Sequence, residues 1–468
     1  MNQVLLNDLE NLPAVLESVK QMSIDYLHSL NERPIGKENT SFILPGLPQQ
    51  GLGTINTHNL FEKEYLPNIV ASSGPRYWGF VTGGTTPAAI AGDWLATVFD
   101  QNTQSEKGNG DISAGLELHT IKLLLQLFGL PENEFSGEMV SGATMSNFTG
   151  LGVARQWLGK QLGFDVALDG VKPGMKIYTA VPHSSAIKSL AMLGLGSRNI
   201  VPVPTLPDRE CMDIDAFLEM INKNPQQPFI VIASGGTVNT VDFDDLAAIA
   251  GLKDKYNFWF HIDAAFGGFA ACSSAHQHLL KGWEKADSIT IDNHKWLNVP
   301  YDSAAIFTRK EHALLQIETF QNTNAPYLGD PLTNFSYLNF GPENSRRFRA
   351  LPAWFTLMAY GKEGYRSIVE TNIALAKQFS KAIELSSHYK LAAPTRLNTV
   401  CFTLKSDENK SERIASLLKE LNKRGKVFMT PTSYKGTTCI RAAFVNWRTT
   451  ESDVVIAIKE LEEVLSYK

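Results

Sequence analysis

The chain has 468 residues, of which 43% are hydrophobic and 19% charged, and its formal net charge is −5. This composition is typical of a globular protein with a large core, and the lack of a long basic run disfavours nucleic acid and anionic membranes as partners. The chain has no run of about 18 apolar residues that would predict a membrane span, and its four scattered cysteines favour a reduced, cytoplasmic protein.

Residues 1–85 predict an N-terminal arm that does not form a core of its own. Residues 1–22 are acidic and amphipathic, and they lack the basic-then-apolar order of a signal peptide. The stretch ILPGLPQQGLGT (43–54) is irregular and rich in Pro and Gly. An arm of this kind has to pack against something else.

Residues 86–345 predict a large α/β domain. Short β-branched runs alternate there with helical patterns such as LAAIAGLKDKY (246–256). This alternation indicates a mostly parallel sheet. The predicted strands are KIYTAV (176–181), PFIVIAS (228–234), NFWFHI (257–262) and SITI (288–291).

Residues 346–468 predict a smaller α+β domain that follows a long helical stretch. TVCFTL (399–404) and TCIRAAFV (438–445) are the predicted strands of this domain, and ESDVVIAIKELEEVL (451–465) is its closing helix. The chain therefore predicts an arm and two domains.

Polar residues follow the predicted strands of the large domain at the points where these strands end. Asp263 follows NFWFHI, His294 and Lys295 follow SITI, His183 follows KIYTAV, and Thr237 follows PFIVIAS. Ligands of open parallel α/β sheets bind beyond the carboxyl ends of the strands. We therefore expect these side chains to meet in one site.

A further anion site is predicted at SGATMSNF (141–148), where small hydroxylated residues open a helical pattern. The first N–H groups of a helix have no partner within the helix and attract anions. One ligand would use all these groups: its phosphate at this helix start, its ring against His183, its ring nitrogen near Asp263 and its aldehyde on Lys295. That ligand is pyridoxal 5′-phosphate (PLP).

The stretches HIDAAFGG (261–268) and DNHKWLNVPYD (292–302) resemble the group II PLP-dependent decarboxylases. These fold-type I enzymes include aromatic-L-amino-acid, glutamate and histidine decarboxylases. The resemblance extends from about residue 60 to 460, through PRYWGFVTGGTTP (75–87), ISAGLELHTIKLL (112–124), NFGPENSRRFRALPAW (339–354) and FVNWRTTESDV (444–454).

The resemblance implies a fold-type I α/β enzyme that uses PLP to decarboxylate an L-amino acid to an amine and carbon dioxide. It implies that Lys295 forms the Schiff base and that Tyr337, nine positions before Arg346, protonates Cα from a mobile loop, with His183 as the other possible donor. Together with the irregular arm, it implies a homodimer. The residues predicted to bind the cofactor are Ala143, Thr144, His183, Thr237, Asp263, Ala265, His294 and Lys295.

The sequence also departs from the family's usual pattern. Asp292 stands where better-known members often have Asn near the phosphate, and a carboxylate facing a phosphate would repel it. Val238 replaces a frequent Thr, and Phe80 and Thr82 stand where aromatic-acid enzymes often carry Tyr and Pro. The stretch 327–337 is shortened. The residues at positions 80 and 82 weaken the inference of an aromatic substrate, and the shortened stretch bears on how the loop behaves.

Other interpretations remain open at this stage. The same residues could support aminotransfer, decarboxylation coupled to oxidative deamination, or PLP binding without catalysis. A zinc site at Cys272 and His276 would need a third ligand, and their spacing is not a usual one. We therefore predict no metal.

Overall fold

The computed structural model describes residues 2–37, 45–105, 111–321 and 335–466. The strands are β1 (Phe135–Val140), β2 (Ile177–Thr179), β3 (Ile200–Pro202), β4 (Phe229–Ser234), β5 (Phe258–Asp263), β6 (Ser288–Ile291), β7 (Ala304–Arg309), β8 (Tyr389–Leu391), β9 (Thr399–Leu404), β10 (Thr430–Tyr434) and β11 (Thr437–Ala443). The helices are α1 (Gln3–Glu10), α2 (Leu12–His28), α3 (Thr54–Glu64), α4 (Pro87–Phe99), α5 (Ser113–Phe128), α6 (Ala143–Gln161), α7 (Val166–Asp169), α8 (Ser184–Met192), α9 (Ile214–Ile221), α10 (Leu246–Gly251), α11 (Asn293–Trp296), α12 (Ala313–Phe320), α13 (Ala350–Leu385), α14 (Lys410–Arg424) and α15 (Glu451–Ser466).

The larger sheet has seven strands in the order β1-β7-β6-β5-β4-β2-β3. Neighbouring strands from β6 to β3 pair in parallel, whereas β7 runs antiparallel to both β6 and β1. The prediction of a mostly parallel sheet is therefore confirmed. Strands β4, β5 and β6 are buried almost throughout, because their near-continuous apolar residues suit a sheet covered on both faces.

Helix α6 lies close against this sheet because a glycine faces the strands. A Cβ added at Gly150 would lie 2.9 Å from Ile306 Cδ1 and 3.2 Å from the His261 ring. The close approach places the first turn of α6 beside the residues that follow β5 and β6. It thus brings the predicted anion site toward the predicted lysine.

The smaller sheet has four strands in the order β10-β11-β9-β8, and all of its pairs are antiparallel. Its core also contains Trp78, which is 1% exposed and whose ring centroid lies 4.3 Å from that of Phe444. The last part of the predicted arm therefore packs into the C-terminal unit. The boundaries at residues 85 and 345 stay predictions.

The N-terminal helices α1 and α2 contain no buried residue. Leu5, Leu9 and Leu16 are 60%, 62% and 52% exposed, respectively. None of the helices in the described ranges combines the length and the apolar character that crossing a bilayer requires. The arm thus presents apolar side chains that the other described residues do not cover.

Candidate active site

The carboxyl ends of β2, β4, β5 and β6 meet at a cleft that encloses about 450 Å³, including its open mouth. The cleft brings together five of the predicted site residues, as expected from the strand order. The lining residues are Val181, Pro182, His183, Ser234, Gly236, Thr237, Val238, Asp263, Ala265, Phe266 and Lys295.

Lys295 lies on the short helix α11 with a side chain that is 14% exposed. Its Nζ lies 3.2 Å from Asp292 Oδ2 and 5.5 Å from the centroid of the Phe266 ring. Gly83 passes so close that an added Cβ would lie 1.6 Å from the Lys295 carbonyl oxygen. The backbone that carries the amine therefore packs directly against the Gly83 backbone.

Asp263 ends β5 and is held in place by two N–H donors. Asn147 Nδ2 donates to Asp263 Oδ2 at 3.1 Å, and the Ala265 N–H donates to Oδ1 at 3.3 Å. Asn147 Oδ1 in turn accepts from His261 Nε2 at 2.8 Å and from Thr290 Oγ1 at 2.9 Å. Burial, the largest cause, lowers the pKa of His261 to about 4, so this imidazole is neutral.

Asn147 is a site residue that the sequence reasoning did not single out. It belongs to the SGATMSN stretch and is the fifth residue of α6, within hydrogen-bond distance of Asp263. The available signal was a polar amide on a helix face that otherwise packs against an apolar sheet. Such a buried amide needs partners, and the strand ends supply them.

His183 caps the N-terminus of α8, and its ring lines the cleft. Its Nδ1 accepts the Ser185 N–H at 3.2 Å and lies 2.7 Å from Ser185 Oγ, which itself accepts from Asn147 Nδ2 at 3.1 Å. Burial is the largest cause that lowers the pKa of His183; the Lys295 charge acts in the same direction and Asp263 opposes it. His183 is thus a neutral imidazole with its proton on Nε2.

The predicted phosphate end is formed by the start of α6 and by His294. Ala143 and Thr144 are the first two residues of α6, where N–H groups lack partners within the helix. A Cβ at Gly142 would lie 3.4 Å from His294 Cε1, so the imidazole lies beside this helix start. His294 Nδ1 is buried without a hydrogen-bond partner among the residues that the structure describes. An anion at this point would satisfy it.

Thr237 lines the cleft, but its hydroxyl is used elsewhere. Its Oγ1 donates to Glu210 Oε2 at 2.6 Å, and Thr240 Oγ1 donates to the same oxygen at 2.7 Å. Ala265 contributes its carbonyl oxygen to the Asp292 N–H at 2.8 Å. Both predicted residues therefore shape the walls of the cleft, and Thr237 offers it backbone and methyl surface.

Arg441 is a second residue that the sequence reasoning missed. It lies on β11 of the smaller sheet, is 9% exposed, and its Nη1 lies 3.5 Å from the carbonyl oxygen of Val238. Its Nε has no hydrogen-bond partner among the described residues. Burial lowers the pKa of Arg441, and its charge contributes to the lowered pKa of His183. The available signal was an arginine inside the apolar run TCIRAAFV.

Tyr337 lies in a cluster distinct from the residues that line the cleft. Its side chain is 0% exposed, and the Arg346 guanidinium lies 4.1 Å from its ring centroid. Arg346 donates to Glu117 Oε1 at 2.6 Å and to the carbonyl oxygen of Met139 at 2.8 Å. The role of Tyr337 as proton donor stays a prediction. Tyr327, at the start of the shortened stretch, lies outside the described residues.

The residues of the cleft fit PLP. Lys295 supplies a nearly buried amine, Asp263 supplies an oriented carboxylate, and His183 supplies a neutral ring on the cleft wall. The partnerless Nδ1 of His294, beside the free N–H groups of α6, marks an anion site. These groups correspond to the four parts of the cofactor: aldehyde, ring nitrogen, ring face and phosphate.

Comparison with known proteins gives the same result. The family described as "Pyridoxal-dependent decarboxylase conserved domain" matches residues 58–405. The aromatic-L-amino-acid decarboxylase of Bacillus atrophaeus is 29% identical over 485 aligned positions, which cover 98% of each chain. That of Catharanthus roseus is 26% identical and covers 84% of this chain and 80% of its own.

Solved structures support the architecture. Oryza sativa TDC with PLP and tryptamine has a TM-score of 0.89 at 22% identity, and the likeness covers 98% of both chains. Catharanthus roseus tryptophan decarboxylase in complex with L-tryptophan has a TM-score of 0.87 at the same identity and coverage. These likenesses confirm the predicted fold-type I α/β architecture. The chain therefore belongs to the pyridoxal-dependent decarboxylase family, and it is a PLP-dependent carboxy-lyase.

Proposed function

We propose that this chain converts an L-amino acid to its amine and carbon dioxide, with Lys295 as the covalent anchor of PLP. The observation that supports this assignment is the meeting of Lys295, Asp263 and His183 in one cleft. When bound, PLP supplies an electron-accepting ring and an aldehyde. Transfer of an amino group and non-catalytic binding use the same pocket, so products have to be measured.

The proposed roles follow from the contacts of each residue. Asp263, fixed by Asn147 and by the Ala265 N–H, would keep a proton on the ring nitrogen of bound PLP. Preorganised charge of this kind is usually the largest contribution to catalysis. His183, neutral and protonated on Nε2, lines the cleft where it would hold the ring of PLP and supply a proton to the substrate. The N–H groups that open α6 bind the phosphate.

We propose an aromatic L-amino acid as the substrate, because the relative that matches 98% of the chain is named for that activity, as is one that covers 84% of it. Arg441 supports a second candidate, an acidic amino acid. Its guanidinium is buried beside the cleft with one nitrogen unpartnered among the described residues, and a carboxylate would satisfy it. A bidentate contact of this kind also suits the α-carboxylate, which every substrate carries.

The test is a product analysis with purified protein. PLP-loaded enzyme is incubated with each of the twenty common amino acids, and carbon dioxide, amine, aldehyde and pyridoxamine phosphate are measured. The proposal predicts amine and carbon dioxide in equal amounts from one side-chain class. Borohydride reduction followed by mass spectrometry should place the cofactor on Lys295, and Lys295→Ala should lose the adduct. An adduct on another lysine, or pyridoxamine phosphate as the main product, would contradict it.

We further propose a homodimer in which a second copy covers the arm. The apolar residues of α1 and α2 are exposed, and so are Phe80 at 60% and Tyr301 at 61%. Tyr301 packs against His294 with ring centroids 4.1 Å apart and a tilt of 30°, so the exposed side of Tyr301 adjoins the site. Obligate interfaces bury roughly 2,000 Å² or more. Sedimentation of an active species at the 51.7 kDa of one chain would contradict the dimer.

We also propose that the protein works in the cytoplasm. Its cysteines Cys211, Cys272, Cys401 and Cys439 are all free, which suits a reducing compartment. Fractionation of the source cells with a specific antibody would test this. Recovery of the protein outside the cytoplasmic fraction would contradict it.

A further inference from the structure

Asp292 is a buried acid whose role does not follow from the residues that line the cleft. Its side chain is 3% exposed, and its two oxygens face two different basic groups. Oδ2 lies 3.2 Å from Lys295 Nζ, and Oδ1 lies 3.1 Å from His294 Nε2. Both are ion-pair distances. The sequence alone suggested that a carboxylate here would repel the phosphate of the cofactor.

The charge state of Asp292 follows from these contacts. Burial by itself would raise the pKa of this carboxyl, but the Lys295 charge and His294 outweigh burial and hold it below its usual value. Asp292 is therefore a carboxylate. A buried carboxylate is tolerated only with a cationic or hydrogen-bonding partner, and removal of one partner of a buried pair is strongly destabilising.

Lys295 is not a lasting partner for this carboxylate, because its amine is the group that the cofactor uses. Once Lys295 is committed to PLP, His294 is the basic side chain that remains at ion-pair distance among the described residues. The geometry then fixes the protons on the ring. Asp292 Oδ1 is buried without a hydrogen-bond partner among the described residues, and His294 Nε2 lies 3.1 Å from it, so a proton on Nε2 would serve this oxygen. Nδ1 can donate to a phosphate only if it carries a proton as well.

The surroundings of His294 leave Nδ1 open to a ligand. Nδ1 is buried and has no hydrogen-bond partner among the described residues, and the ring lies beside Gly142 at the start of α6. Among the described residues, Asp292 pairs with the ring, Lys295 pairs with the other oxygen of the same carboxylate, and Tyr301 packs against the ring with centroids 4.1 Å apart. The first turn of α6 adds no titratable side chain.

We propose that Asp292 is a positioning residue that keeps His294 doubly protonated, so that the imidazolium presents its Nδ1–H to the cofactor's phosphate. This inference depends on the proposed function, because it requires PLP to place its phosphate at the start of α6. It reverses the expectation from sequence: the acid favours phosphate binding by placing a positive charge between itself and the anion.

Asp292 either repels the phosphate or supports its binding through His294. The direction in which PLP affinity changes when Asp292 is replaced separates these two interpretations. The variants are Asp292→Asn, His294→Gln and the double variant, and the readout is the dissociation constant for PLP from absorbance titration of cofactor-free protein at pH 8. The proposal predicts that Asp292→Asn weakens PLP binding by roughly ten- to a hundredfold, the worth of a hydrogen bond to a charged group. In the His294→Gln background the same substitution should have little effect.

Three outcomes would overturn the inference. Tighter PLP binding by Asp292→Asn would mean that the carboxylate repels the phosphate. An equal loss with and without His294 would mean that Asp292 acts by another route. A neutral His294 ring in the nitrogen NMR spectrum of histidine-labelled, PLP-loaded wild-type protein would contradict it without any variant, even if Asp292→Asn fails to fold. Wild-type protein that binds no PLP would instead contradict the proposed function.

Discussion

Asn147 and Asp263 are 116 positions apart in the chain, yet Asn147 Nδ2 donates a hydrogen bond to Asp263 Oδ2 at 3.1 Å. The same amide nitrogen donates to Ser185 Oγ, which contacts His183 Nδ1. One side chain on α6 thus orients both the acid and the imidazole of the cleft. Because Asp263 has to keep its carboxylate aimed at the ring nitrogen, the amide should matter for cofactor binding.

Replacing Asn147 by Leu should weaken PLP binding. The substitution keeps the approximate volume and removes the donors to Asp263 and Ser185, and a hydrogen bond to a charged group is worth about 1.5–3 kcal/mol. We expect the dissociation constant for PLP to rise roughly ten- to a hundredfold in absorbance titrations. When Asp263 is already replaced by Asn, the further loss of PLP affinity caused by Asn147→Leu should be smaller. Additive effects of the two substitutions would show that Asn147 does not act through Asp263.

Replacing Arg441 should affect the substrate more than the cofactor. If the buried guanidinium binds a substrate carboxylate, Arg441→Met should raise KM by roughly ten- to a hundredfold. This is the affinity lost when a hydrogen bond to a charged group is removed. Arg441→Lys keeps the charge but loses the two-pronged geometry, so it should lie between the wild type and Arg441→Met. Steady-state kinetics with PLP in excess measure this. A change in PLP affinity with KM unaltered would point to a structural role.

Glu138 should make the stability of the cofactor-free protein fall as the pH rises. Burial, the largest cause, raises the pKa of this carboxyl from 4.5 to about 8, with Arg346 opposing the shift and Glu117 adding to it. Between these two values the folded chain holds a proton that the unfolded chain releases, so each pH unit costs about 1.4 kcal/mol. Because the group is half ionised at pH 8, the free energy of unfolding should fall by about 2 kcal/mol from pH 6 to 8.

The matched variant for that prediction is Glu138→Gln, which is isosteric and does not titrate. Urea denaturation at pH 6, 7 and 8 should show a steep decline in stability for the wild type and a shallower one for the variant. The variant should be the more stable of the two at pH 8. Parallel declines would mean that Glu138 is not the titrating group.

Local pattern predicted the central strands and the polar residues at their ends. NFWFHI and SITI became β5 and β6, and the residues that follow them line the cleft, because near-continuous apolar runs have few alternatives to a buried parallel strand. The partners of these residues could not be predicted in this way. Asn147 reaches Asp263 through the packing of α6, and Arg441 reaches the cleft from the other sheet.

The same limit applies to Trp78 and Asp292. Nothing in the sequence near Trp78 indicates that the end of the arm packs into the core of the C-terminal unit, because that contact depends on how distant segments meet. For Asp292, the sequence showed the unusual acid but not its two basic partners at 3.1 and 3.2 Å. The sign of its effect on an anion depends on that geometry.

Tyr337→Phe tests the remaining catalytic prediction. Phe keeps the ring that packs against Arg346, so folding and PLP binding should be unchanged. If the phenol protonates Cα, carbon dioxide should still be released while amine falls by roughly ten- to ten-thousandfold, the range of a general-acid contribution. Aldehyde or pyridoxamine phosphate should rise in its place. The measurement is the ratio of amine to carbon dioxide by chromatography and gas analysis.

The control for Tyr337 is the other tyrosine of the same stretch. Tyr337 is fully buried in the Arg346 cluster, so the loop would have to move before its hydroxyl could reach the substrate, as closing loops of enzymes do. Tyr327→Phe should leave the ratio of amine to carbon dioxide at the wild-type value if Tyr337 is the donor. A normal ratio in Tyr337→Phe with a lowered ratio in Tyr327→Phe would transfer the role to Tyr327. Normal ratios in both variants would leave the neutral imidazole of His183, already in the cleft, as the proton donor.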